Sequence, residues 1–193
     1  MEHRRIHILR LLFLAVSLAT PVVAQVTNHA AEGNLEATND VPCLEISKIR
    51  NEYSPADIAG GVRACFREGK DDQAVEMLVV MQLRAAFDIR RVKDRTAHQA
   101  GRVLALNLHN AGGATWEQRM SRAFERFGAA GSTRHEQLCA VQKQVGPPTH
   151  SPRYMIQHGM GAFTKDAGDG LVKGFNARSV WVDVLKNYLK CDL

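Results

Sequence analysis

Asp71–Phe87 reads DDQAVEMLVVMQLRAAF, and between Ala74 and Phe87 only Glu76, Gln82 and Arg84 are polar. A helix of this composition is apolar on nearly every face and belongs inside a domain, covered by its neighbours. It is too short and too often interrupted to span a bilayer, which takes about 20 apolar residues in succession. Val79 and Val80 would suit a buried strand, but the Ala, Met and Leu content, the length and the acidic start favour a helix. The rest of the chain is expected to pack around it.

On its N-terminal side, Ser54-Pro55-Ala56-Asp57 opens a helix: Ser54 caps, Pro55 takes the first position and Asp57 suits the positive end of the dipole. Ile58, Val62, Cys65 and Phe66 mark its inner face, and Gly69 stops it. With so short a link the two helices form a tight antiparallel pair. No 34-residue period recurs, which excludes a tetratricopeptide array. A short helical pattern also covers Leu44 to Asn51.

On the C-terminal side a helix is expected from Val92 to His109. Ala97, Ala100 and Gly101 give it a small-residue strip, continued by Leu104 and Leu108, that faces the central helix. Thr115 with Gln118 makes a capping-box pattern after Gly112-Gly113, and Trp116, Met120, Ala123, Phe124 and Phe127 recur at helical spacing. Thr133 and Glu136 open a further helix carrying Leu138, Cys139 and Val141. The last runs from Ala177 to Lys190, with Val180, Trp181, Val184, Leu185 and Tyr188 inward. Gly146 to Asn176, rich in Gly and Pro, breaks the pattern; a short helix from Pro152 to His158, capped by Ser151, interrupts it. So long a connection in a domain is functional or mobile. The fold class predicted is all-α: a single bundle of six to seven helices over residues 42–193.

Arg4, Arg5 and Arg10 precede the apolar run Leu11 to Leu18, and Val22-Val23-Ala24 ends on a small residue. Residues 1–24 therefore read as a cleaved signal peptide, with residues 25–41 a flexible polar leader. Cleavage removes three arginines and Glu2, lowering the net charge from +5 to +3. That balance lacks the basic stripe of a nucleic-acid binder. The four cysteines, Cys43, Cys65, Cys139 and Cys191, are an even set in an exported chain and imply two disulfides. Zinc ligation is disfavoured because no pair has C-x-x-C spacing. Of three possible pairings, Cys43–Cys65 and Cys139–Cys191 is preferred.

Asp94 and His98 stand four apart in the expected helix, so a carboxylate could orient an imidazole as in a hydrolytic triad, although a structural pair is the commoner outcome. His98 and His109 lie about 16 Å apart along a helix and cannot share a metal. Neither H-E-x-x-H nor G-x-S-x-G occurs, Gly168–Gly174 lacks phosphate-loop spacing, and Asp166 with Asp169 lacks an EF-hand's alternating carboxylates. No cofactor or metal is expected. Two stretches suit a protein partner: Tyr154, Met155, His158, Met160 and Phe163 in the glycine-rich connection, and Arg90 with Arg91 in a basic run.

The blocks YSPAD (53–57), RVKDRTAHQA (91–100) and YMIQHGMGAF (154–163), with W-x-x-V-L-x-x-Y-L-x-C (181–191), resemble a group of small exported proteins of Gram-negative bacteria. That resemblance implies a periplasmic location but assigns no catalysis. In architecture and compartment the chain is also similar to the periplasmic immunity proteins that neutralise type VI secretion toxins, a fold-level analogy. The leading expectation is a non-enzymatic binding protein of that kind. A small hydrolase using Asp94 and His98, and an envelope scaffold or stress protein, are the alternatives.

Overall fold

The computed structural model describes residues 30–164 and 168–192. The expected signal peptide and the first five leader residues lie outside the described residues. Within them the chain is all-α: α1 (Pro55–Arg67), α2 (Asp71–Arg91), α3 (Ala100–Gly112), α4 (Trp116–Phe127), α5 (Thr133–Val145), the single turn α6 (Arg153–Ile156) and α7 (Ala177–Asn187). No helix among the described residues is long and apolar enough to cross a membrane.

α2 is the axis. No residue from Asp71 to Asp88 is exposed, and α1, α3, α4 and α7 all pack on it. Ala74, Val75, Met77, Val80, Met81, Leu83 and Phe87 are each fully buried, the larger of them contributing about 1.5–3 kcal/mol apiece. Two of the three polar interruptions, Glu76 and Arg84, have partners of their own. Glu76 accepts two hydrogen bonds from Arg134. Arg84 sits in the core and donates to the carbonyls of Arg50 and Tyr53 at 2.8 and 2.6 Å. Burial pushes the Arg84 guanidinium down to about 10, with Asp88 and Glu52 pulling the other way. It stays charged at neutral pH.

The N-terminal pair forms as its sequence dictates. Ser54 Oγ accepts the Asp57 N–H while Asp57 Oδ2 accepts the Ser54 N–H, a reciprocal capping box with Pro55 at the first turn. Gly69 takes φ +74° in the link to α2. Both disulfides, Cys43–Cys65 and Cys139–Cys191, are formed, closing loops of 22 and 52 residues. By chain entropy each is worth on the order of 3–4 kcal/mol. The small-residue strip meets α2: a Cβ on Gly101 would lie 2.6 Å from the Ala85 Cβ.

Several local expectations give way to tertiary structure. The Leu44–Asn51 pattern yields only a 3-10 turn at Ile46–Lys48. α3 does not begin at Val92, which is extended and bridges to Leu171; a 3-10 turn at Arg95–Gln99 precedes it. Thr115 forms no capping bond, because its backbone is already helical. Ser132 rather than Thr133 caps α5. Pro152 rather than Ser151 precedes α6, without a side-chain cap. Tyr188 is exposed, not inward, and Phe124 is the exposed member of the α4 set.

Residues 30–41, which the polarity assigns to the leader, make specific contacts with the bundle. The N–H groups of Thr38 and Asn39 donate to Asp57 Oδ1 at 2.6 and 2.7 Å, Leu35 N–H donates to the Tyr154 carbonyl, and Val41 is buried.

Candidate functional site

The C-terminal end of α2 gathers most of the residues singled out above. Here the glycine-rich connection turns back onto the helix end: Lys93 N–H donates to the Gly170 carbonyl and Val172 N–H to that of Arg91, both at 2.9 Å. The segment Met160–Phe163 forms a 3-10 turn fixed by two side chains across the gap. Asp94 Oδ2 accepts the Gly161 N–H at 2.7 Å, and Thr96 Oγ1 accepts the Met160 N–H at 2.8 Å. Asp94 Oδ1 meanwhile accepts the N–H and hydroxyl of Thr96. These bonds, the Thr96 hydroxyl first and then the Gly161 amide, hold the Asp94 carboxyl below its ordinary value. A side chain on Gly159 would run into that carboxylate, so glycine is required for the close approach.

The clamp has a consequence for what faces solvent. In a 3-10 turn, residues three apart are eclipsed, so Met160 and Phe163 share one face. They are 66 and 57 % exposed. Lys93, Arg95 and Lys173, on the segments that hold the turn, are exposed as well. The result is a short apolar prong whose backbone is fixed by Asp94 and Thr96, with exposed cations on the segments that hold it.

The other expected contact residues are engaged within the fold to differing degrees. Tyr154 and Met155 are in the core, at 2 and 0 % exposure, and cannot touch a partner while the fold is intact. His158 is half-buried; its Nδ1 donates to Asn34 Oδ1 at 2.8 Å, tying the chain near residue 34 to the connection. Burial lowers its pKa, favouring the neutral imidazole. Arg90 is exposed and reaches Asp183 on α7 at 3.1 Å. Arg91 turns inward: its Nε donates to Asp88 Oδ1 and its terminal nitrogen to the His150 carbonyl, each at 2.8 Å. Adjacent in sequence, the two arginines serve opposite sides of the helix end.

Asp94 and His98 are not joined as a catalytic pair. Both Asp94 oxygens are taken by the clamp, and His98 Nε2 donates to the Val92 carbonyl at 2.8 Å. The imidazole beside a carboxylate is a different one. His150 Nε2 lies 2.8 Å from Asp88 Oδ2, both side chains buried. Arg91 covers the other Asp88 oxygen, and the Tyr154 phenol, raised well above its ordinary pKa by burial and by the Asp88 charge, lies close by. This network ties the glycine-rich connection to α2. His150 stands in PPTHSP, which has no periodicity to mark it, and Asp88 reads as one more charge in a charged run; nothing in the sequence pairs them across 62 residues.

Charge elsewhere is arranged along the N-terminal half of α2. Arg119 grips Asp71, Arg126 and Arg134 share Asp72, and Arg134 also reaches Glu76. On α4, Arg119 and Arg126 are thus taken up in ion pairs with the start of α2. No protein-family model, curated protein or solved structure matches this chain.

Proposed function

We propose that this is an exported, non-enzymatic binding protein that neutralises an antibacterial effector by direct contact, with Met160 and Phe163 as its anchor. The observation that carries this reading is the clamped prong: two large apolar side chains held toward solvent by Asp94 and Thr96. Binding anchors are worth most when they need no ordering on association, because each side chain immobilised costs about 0.5–1.5 kcal/mol. Two disulfides suit an oxidising compartment such as the periplasm. The exposed Lys93, Arg95 and Lys173 favour a partner surface that is acidic around an apolar recess. Arg90, outward and paired with the exposed Asp183, is a second candidate contact; Arg91 is held by Asp88.

The test is a competition between sibling cells. Cells lacking the protein are expected to be killed by toxin-delivering siblings and to recover when the gene is restored. Equal survival with and without the protein would refute the reading.

A further inference from the structure

His135, Cys139 and Cys191 meet where α5 receives the C-terminal tail. Each brings one ligand-type atom to within 4.8 Å of the others, and all three are buried. His135 and Cys139 are four apart on α5, which places them on one face. The Cys139 sulfur lies 3.7 Å from His135 Nε2 and 4.0 Å from Nδ1. A tetrahedral zinc ion, with Zn–S near 2.3 Å and Zn–N near 2.0 Å, holds such a pair about 3.6 Å apart. A cavity of about 240 Å³ reaches the same sulfur and is lined by Glu136, Lys143, Lys190 and Asp192 among others.

We propose that these three side chains form a redox-gated site for a thiophilic divalent cation such as Zn²⁺, closed while the disulfide stands and open once it is reduced. A thiol or phosphine reductant supplies two electrons, and the thiols or water two protons; the S–S bond breaks to two thiols while the reductant ends as its own disulfide or as a phosphine oxide. Zn²⁺ then displaces both thiol protons, and the neutral imidazole is the third donor. Asp192, Glu136 or a water completes the tetrahedron. In the oxidised protein the ring is fully engaged, Nε2 donating to the Leu189 carbonyl at 2.6 Å and Nδ1 accepting the Gly131 N–H at 3.1 Å. Loss of the covalent tether lets the tail carrying Leu189 shift; the ring proton then moves from Nε2 to Nδ1, which gives up the Gly131 N–H, and the Nε2 lone pair becomes available to the metal. Lys143 and Lys190 favour the thiolates the metal needs, at some cost in repulsion of the cation. Either cross-link, disulfide or metal, keeps the tail behind α7 on α5.

The full chain, reduced with a phosphine, desalted without oxygen and titrated with Zn²⁺ against a chromophoric chelator, gives the test. One zinc per chain is expected after reduction and none before. Because Cys43–Cys65 is reduced too, uptake must vanish in Cys139→Ser/Cys191→Ser. It must weaken by more than about 100-fold in His135→Ala, since losing a mere support of a ligand already costs about 10–100-fold. With Co²⁺ in place of zinc, the reduced chain should show thiolate charge-transfer and tetrahedral bands that change in His135→Ala. No uptake by the reduced chain, uptake surviving Cys139→Ser/Cys191→Ser, or equal affinity in His135→Ala would each overturn the site.

Discussion

The Asp94 carboxylate accepts the Gly161 N–H at 2.7 Å, joining residues 67 apart in the chain. One side chain thus caps the turn leading into α3 and fixes the prong that carries Met160 and Phe163. Asp94→Ala should therefore cost about 1–2 kcal/mol, the worth of a lost cap and charged hydrogen bonds. Its sharper signature is local: amide exchange at Met160 and Gly161 should speed up while the amides of α2 keep their protection. Uniform loss of protection would mean that Asp94 supports the whole bundle rather than the prong.

Asp57 makes the fold pH-dependent at its other end. Burial opposes its ionisation, but the N–H groups of Asn39 and Ser54 outweigh it and hold the carboxyl below the ordinary 3.8. A folded pKa below the unfolded one means stability that is complete above the unfolded value and is lost as pH falls through the folded one. Asp57→Asn should lower stability at neutral pH and flatten the acid limb of the curve. Denaturant melts from pH 2 to pH 6, an approximate range around the ordinary carboxylate value, would show this; an acid limb of unchanged slope would rule Asp57 out as its source.

Gly101 sits where α3 crosses α2, with Ala85 in the way of any side chain. Gly101→Val should force the helices apart and cost about 1–3 kcal/mol or more, as overpacking does. Calorimetry would report it as a lowered melting temperature. A variant as stable as the parent would mean that the two helices do not pack this closely.

That contact was legible in the sequence, and the reason is physical. Small residues at helical spacing, a run apolar on all sides, and a Ser-Pro-x-Asp start are local signals, so α1, α2 and the strip could be read directly; the disulfide pairing, preferred among three, is the one that forms. What stayed hidden depends on partners distant in sequence. Val92 has helix-compatible neighbours on both sides, yet it pairs with Leu171 and the helix starts late. Tyr154 and Met155 read like Met160 and Phe163, as apolar residues of one loop; only the packing of α6 onto the core separates the buried pair from the exposed one. Asp94 and His98 have the spacing of a dyad, but the 3-10 turn between them and the demands of Gly161 and Val92 draw them to different partners.

Asp88 anchors the buried network that positions the connection, since Arg91 and His150 both depend on it. Asp88→Ala leaves Arg91 inside without its counter-ion and should cost about 3–5 kcal/mol. Replacing the imidazole alone, in His150→Ala, should cost less. Equal losses in urea melts of the two variants would contradict a network centred on the carboxylate.

The prong itself is the most direct point of attack on the proposed role. Met160→Ser/Phe163→Ser changes two exposed side chains, so the melting temperature and the helical spectrum should match those of the parent. Restored to cells lacking the protein, the parent should protect them from toxin-delivering siblings and the double variant should not. A double variant that folds normally and protects as well as the parent would contradict the assignment of Met160 and Phe163 as the anchor.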